Sequence, residues 1–110
     1  MAYDIDLAAR IRAHIGEAPD LTERRMFGGL AFLIGGNMAV AASAQGGILV
    51  RVDPEQNDAL IETTAANVME MGGRTMTGWL HVRADDVSTD EELRSWIERG
   101  VGYARSLRSK

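Results

Sequence analysis

The chain contains no cysteine. That excludes a disulfide framework, thiolate zinc sites and thiol catalysis, and it fits a reducing, cytoplasmic location. Aromatic residues are scarce, with two each of Trp, Tyr and Phe. A single-strand nucleic-acid platform needs several aromatics on a basic sheet face, so this chain is poorly equipped for one. There are two histidines, His14 and His81. They fall in different predicted elements, the first on a helix surface and the second on an open sheet face. Ser43, Ser88 and Ser95 have no base at a recognisable spacing and no nucleophile elbow around them. No long apolar run exists either. Met26 to Gly36 is the longest stretch of apolar residues and glycine, and it is too short and too glycine-rich to span a bilayer. Met1 to Ile15 carries Asp4 and Asp6 and does not read as a signal peptide.

What is present is an ordinary globular composition. Of 110 residues, 45% are hydrophobic and 25% charged, which argues against disorder. This length predicts one domain over residues 1–110, able to bury roughly two thirds of its unfolded surface. The formal charge is −4, which weakens any case for unaided duplex binding, because such affinity rests on neutralising phosphates. The charge is uneven. Asp85, Asp86, Asp90, Glu91 and Glu92 form an acidic cluster that lacks the ligand spacing and glycine of a calcium loop. Its carboxylates fit a helix N-terminus, where negative charge is favoured. Arg105, Arg108 and Lys110 form a basic tail, and Arg24 and Arg25, with Arg74, a second basic spot.

Hydrophobic spacing predicts the elements. Asp4 caps a first helix with Leu7, Ala8, Ile11 and Ile15 on one face, closed by Gly16 and Pro19. A strand follows from about Arg24 to Ile34, so continuously apolar that both faces are expected to be partly covered. Gly35-Gly36-Asn37 reads as a hairpin turn into a strand at Met38 to Ser43, and Gln45-Gly46-Gly47 as a turn into Ile48 to Val52. Asp53 and Pro54 start a second helix, with Leu60 and Ile61 as its buried stripe. Short strands are expected at Val68 to Met71 and Trp79 to Arg83, with Gly72 to Gly78 as an exposed loop between them. Thr89 and Glu92 form a capping box for a last helix with Leu93, Trp96, Ile97 and Val101 inward. Phe27, Phe32 and Trp96 are expected in the core, and Met26, Met38, Met69, Met71 and Met76 as flexible filler. The order α-β-β-β-α-β-β-α predicts an α+β, two-layer domain with an antiparallel or mixed five-stranded sheet and flanking helices.

Paired glycines mark the candidate binding residues. Met26-Phe27-Gly28-Gly29-Leu30 and Met71-Gly72-Gly73-Arg74-Thr75 do not match a phosphate-binding loop. Gly28-Gly29 reads as a bulge or close backbone crossing, and Gly72-Gly73 and Gly78 as turn geometry. Arg25 and Arg74 each place a guanidinium fork beside glycine backbone, suited to a carboxylate or phosphate; the competing reading is a structural ion pair to Glu23, Glu70 or a helix carboxylate. Trp79, after the glycine loop, is expected to be half-exposed. The tentative binding set is therefore Arg25, Gly28, Gly29, Gly73, Arg74 and Trp79, with Arg24, Arg105, Arg108 and Lys110 as a weaker nucleic-acid set.

The run Met26-Phe27-Gly28-Gly29-Leu30-Ala31-Phe32, followed by Gly36-Asn37-Met38-Ala39, resembles the opening of the TfoX/Sxy N-terminal domain. Leu49-Val50-Arg51-Val52, Gly73-Arg74-Thr75-Met76-Thr77-Gly78-Trp79, Trp96-Ile97 and Tyr103-Ala104-Arg105-Ser106-Leu107 continue the resemblance in order. It implies a secretion-chaperone-like fold, a stand-alone domain of that family and a link to competence or transcriptional regulation. It carries over no catalytic residues, so neither enzymatic activity nor a cofactor is expected. We expect a regulatory or adaptor domain working through protein–protein contacts, with a homodimer plausible and no membrane partner. A nucleic-acid-associated regulator and a small anionic ligand binder are the alternatives.

Overall fold

The computed structural model describes residues 3–26 and 28–108. Phe27 and Lys110 lie outside the described residues. The elements are α1 (Ile5–Ile15), β1 (Leu21–Met26), β2 (Gly29–Ile34), β3 (Asn37–Ala42), β4 (Ile48–Arg51), a 3-10 turn (Pro54–Gln56), α2 (Asn57–Thr63), β5 (Asn67–Met71), β6 (Arg74–Val82), a second 3-10 turn (Ala84–Val87) and α3 (Asp90–Ser106). The strands form one six-stranded sheet in the order β1-β2-β3-β4-β6-β5, and every pairing is antiparallel.

The expected sheet of five strands is thus corrected to six. The segment read as one strand from Arg24 to Ile34 is a hairpin, with Met26 paired to Gly29. Gly28 has φ +77° at the reversal, a backbone setting that glycine adopts cheaply. A Cβ on Gly29 would lie 2.3 Å from the Ala42 carbonyl oxygen, so only glycine lets β2 start this close to β3. The second correction is the expected loop from Gly72 to Gly78. Met71 pairs with Arg74 across a two-residue turn in which Gly72 and Gly73 have φ +60° and +80°. Positive φ at both central residues is the type I′ turn whose twist matches flanking strands. Gly78 does not end a loop; it sits inside β6.

Of the three helix N-termini expected from the sequence, those of α1 and α3 are capped by the named residues, whereas the helix expected at Asp53 and Pro54 opens as a 3-10 turn and α2 begins at Asn57. Asp4 Oδ1 accepts the N–H groups of Asp6 and Leu7 at 2.9 and 3.1 Å. At α3, Thr89 and Glu92 exchange side-chain and backbone hydrogen bonds in a capping box. Asp53 caps the 3-10 turn ahead of α2, its Oδ1 accepting from the Glu55 N–H at 2.9 Å.

α1 and α3 cover one sheet face. Leu7, Ala8 and Ile11 from α1 and Leu93, Trp96, Ile97 and Ala104 from α3 pack with Leu30, Phe32, Ile34, Val40, Ile48, Val50, Leu80 and Val82. Each large side chain buried here stabilises the fold by about 1.5–3 kcal/mol relative to exposure. α3 crosses β3 at Gly100, where a Cβ would come 2.4 Å from the Ala39 carbonyl oxygen. Ala39 is the bulged residue of β3, because Phe32 pairs with Val40 and Leu33 with Met38. The bulge and the glycine together let helix and sheet touch backbone to backbone.

Candidate functional site

The opposite sheet face carries no helix, yet it holds a second apolar cluster of Ala31, Leu33, Met38, Ala41 and Leu49, packed by Met26, Met69 and Trp79. These central residues are 1–8% exposed. A single row crosses all six strands on this face: Arg24, Ala31, Ala41, Leu49, His81 and Asn67 are successive cross-strand partners. In a flat sheet its ends would stand about 24 Å apart. Instead one hollow of about 760 Å³ is lined both by Met26 of β1 and by Met69 and Glu70 of β5. The sheet therefore curls, and this face is concave.

The hollow exists because its floor is small. Gly29, Ala31 and Ala41 line it, where larger side chains would have filled a half-barrel interior. Methionines stand on its sides, and Ser43, Gln45, His81 and Arg83 add polar groups. His81 Nε2 lies 2.7 Å from the Gly46 carbonyl oxygen, so Nε2 carries the proton and donates. Arg83 lies 3.9 Å from Asp86.

A bend at Gly78 interrupts the β5–β6 ladder on this side of the sheet. Val68 pairs with Leu80 but Met69 pairs with Met76, so Thr77, Gly78 and Trp79 bulge from the β5–β6 ladder. Gly78 has φ +88°; its N–H donates to Asn57 Oδ1 at 2.9 Å and its carbonyl accepts from the Val52 N–H at 2.8 Å. Trp79 leaves the bulge opposite Arg51. The Arg51 guanidinium lies 5.2 Å from the Trp79 ring centre and 5.8 Å from that of Tyr103, within cation–π range of both.

The proposed site residues separate accordingly. Arg24 and Arg25 are neighbours on β1 and therefore face opposite sides: Arg24 pairs with Ala31 on the concave face, Arg25 with Leu30 on the helix face. Arg74 stands at the tip of the β5–β6 hairpin, so Arg25 and Arg74 are not brought together. Neither joins an ion pair among the described residues. The carboxylate of Glu23 is taken by Arg12 of α1, at 2.6 and 2.7 Å. That bidentate contact holds the Glu23 carboxyl below its usual range and raises Arg12. Gly28, Gly29 and Gly73 serve backbone geometry, as one of the sequence readings had them. Trp79 is half-buried and packs against the second apolar cluster. Of the weaker set, Arg105 lies 3.6 Å from Asp20, and the Arg108 carbonyl accepts from Asn37 Nδ2 at 2.9 Å.

His14 and His81 do not converge. His14 Nε2 lies 3.8 Å from Asp90 at the start of α3, whereas His81 faces the hollow. Among the described residues, no three His, Asp or Glu side chains gather as a metal site, and no helix is long and apolar enough to cross a membrane.

Sequence reasoning missed Ala31 and Ala41 as site-shaping residues. The available signal was the unbroken apolar run of β2 and β3, which says that both faces are covered, combined with alanine and glycine where one face would otherwise be filled.

A search of curated proteins returns no match. The profile of the TfoX N-terminal domain family matches residues 13–104, from the end of α1 through all six strands to the end of α3. The chain belongs to the TfoX N-terminal domain family.

Proposed function

We propose that the chain is a non-catalytic regulatory domain that acts by holding a partner protein against the concave face of its sheet. Family membership suggests a regulatory or competence-related role. The observation that carries the rest is the alanine-floored hollow of about 760 Å³ on the face opposite α1 and α3, a concave surface whose lining mixes apolar and polar groups, as recognition sites do. Methionine walls support the reading, because an unbranched thioether side chain repacks around different partners. The contact surface expected from the sequence shifts with this: Trp79 stays, packed against the apolar cluster of the same face, and Gly72 of the glycine turn lines the hollow.

The competing readings draw less support. A small anion needs converging cations, and Arg25 and Arg74 stand on different elements without meeting. A nucleic-acid surface loses Arg105 to Asp20.

Affinity capture from extracts of the source cell tests the proposal. Wild-type protein is compared with Ala41→Phe, which fills the hollow, and with Glu91→Ala on the exposed side of α3. Prey retained by wild type and Glu91→Ala but lost by Ala41→Phe is the expected outcome. Identical prey on all three baits removes the concave face from the function.

A further inference from the structure

We propose that Arg51 and Arg99 form a two-pronged site for an extended acidic segment of another protein, one that carries two carboxylates about 10 Å apart. The site uses none of the residues that line the hollow and does not rest on it.

Aromatic rings place both cations. Trp96, Arg99 and Tyr103 fall at i, i+3 and i+7 of α3 and so share one side of the helix. The Arg99 guanidinium lies 4.7 Å from the Trp96 ring centre. Arg51 reaches Tyr103 from the end of β4, at 5.8 Å, and has Trp79 of the neighbouring strand at 5.2 Å. Both tryptophans of the chain are thus engaged with these two arginines.

Neither guanidinium joins an ion pair among the described residues, and the sequence shows why. The positions three and four away from Arg99 on α3 are Ser95, Trp96, Gly102 and Tyr103, none of them a carboxylate. Arg94 on the same helix has Glu91 and Glu98 at those distances. Arg51 faces Trp79 across the β4–β6 ladder. An aromatic ring attracts the cation as a whole but leaves the guanidinium fork unmatched by a carboxylate. Both arginines are half-buried, so a carboxylate gains more from them than from a fully solvated cation. The rings also limit the side-chain freedom that binding would otherwise have to freeze.

Spacing and charge choose the ligand. Arg99 sits at Trp96 and Arg51 at Tyr103, two turns along α3, which sets the prongs about 10 Å apart. One small anion does not bridge that gap. An extended chain advances about 3.3 Å per residue, so carboxylates three residues apart meet both forks. A long polyanion fares worse. Asp53 and Glu55 follow Arg51, Glu98 precedes Arg99, and the whole chain carries −4. A nucleic-acid strand running past the site meets those carboxylates, whereas a segment with two acids and neutral flanks does not.

Nuclear magnetic resonance of isotope-labelled protein reads both prongs, because a tryptophan indole N–H stands beside each. The probe is the peptide Gly-Ser-Glu-Thr-Thr-Glu-Ser-Gly. Comparison probes are its glutamine counterpart, a peptide with the two glutamates adjacent, inorganic phosphate and an oligothymidylate. The acidic peptide should shift both indole signals along one saturation curve that weakens as salt rises. Arg51→Lys and Arg99→Lys keep the charge and lose the fork, and each should bind it roughly tenfold more weakly. Wild type should bind the adjacent-glutamate peptide more weakly too, and the glutamine peptide should shift neither signal. The two variants lie on different elements, so a folding defect in one leaves the other to decide. The inference is overturned by the lack of a saturable shift at millimolar peptide, by shifts that the glutamine peptide or phosphate reproduces, by equal binding of the adjacent-glutamate peptide, or by lysine variants that bind like wild type. Tighter binding of the oligothymidylate than of the peptide overturns it in favour of nucleic acid.

Discussion

The side-chain oxygen of Asn57 accepts the backbone N–H of Gly78 across 21 residues of sequence, at 2.9 Å and out of contact with solvent. This bond joins the first residue of α2 to the bend in β6 and thereby holds the bulge in place. Asn57→Ala leaves a buried N–H without a partner, which costs about 1–3 kcal/mol. Urea denaturation followed by circular dichroism should show the midpoint falling with an unchanged slope. An unshifted midpoint would mean that the bulge is held by its ladder bonds alone.

Two glycines on α3 should respond in opposite directions. At Gly100 an added methyl meets the Ala39 carbonyl at 2.4 Å, while at Gly102 nothing lies within 4 Å. Gly100→Ala forces helix and sheet apart and is expected to lose about 1–3 kcal/mol. Gly102→Ala relieves the entropic penalty of a helical glycine and is expected to gain about 0.5–1 kcal/mol. Thermal melts of the two variants give the comparison directly.

The Arg12–Glu23 pair makes a pH prediction. Its carboxyl sits lower in the folded protein, chiefly through the hydrogen bond from Arg12, than the ordinary value of 4.5. The unfolded chain therefore binds a proton first, and the pair's contribution is complete above that value. It is lost as pH falls through the lowered folded value. Arg12 is raised by the same bond, which matters only in strong alkali. Both side chains are partly exposed, so the contribution is about 0.5–1 kcal/mol. Glu23→Gln should lower stability at neutral pH and flatten this part of the acid limb in urea titrations between neutral pH and pH 3. Parallel curves for wild type and variant would contradict the assignment.

At the start of α3, Thr89→Ala removes the hydroxyl that accepts the Glu92 N–H at 3.1 Å. The expected loss is about 1 kcal/mol. Because α3 supplies Leu93, Trp96 and Ile97 to the core, the whole transition should shift. A local change in amide exchange at residues 89–92 with no change in global stability would show that the cap is redundant.

Local chemistry was legible in the sequence. Asp4 and Thr89 announced their helices because a side chain that satisfies free N–H groups acts within three residues. Gly35-Gly36 announced its hairpin for the same reason: backbone strain is a property of the residue itself. Of the bulge and the close crossing that Gly28-Gly29 left open, the crossing holds at Gly29; the reversal at Gly28 was not legible, because the register that reveals it belongs to the partner strand. Gly78 looked like a loop end until Asn57 and Val52 were seen to bind it.

Composition and periodicity thus determined an α+β domain, its helix caps, its tight turns and the double-sided apolar character of β2 and β3. The curl of the sheet, the row from Arg24 to Asn67 and which face of the sheet each arginine shares with the hollow were decided only in the tertiary structure. The physical reason is range. Capping and turn energies act between neighbours along the chain, whereas a hollow is made by what residues on six separated strands leave unfilled.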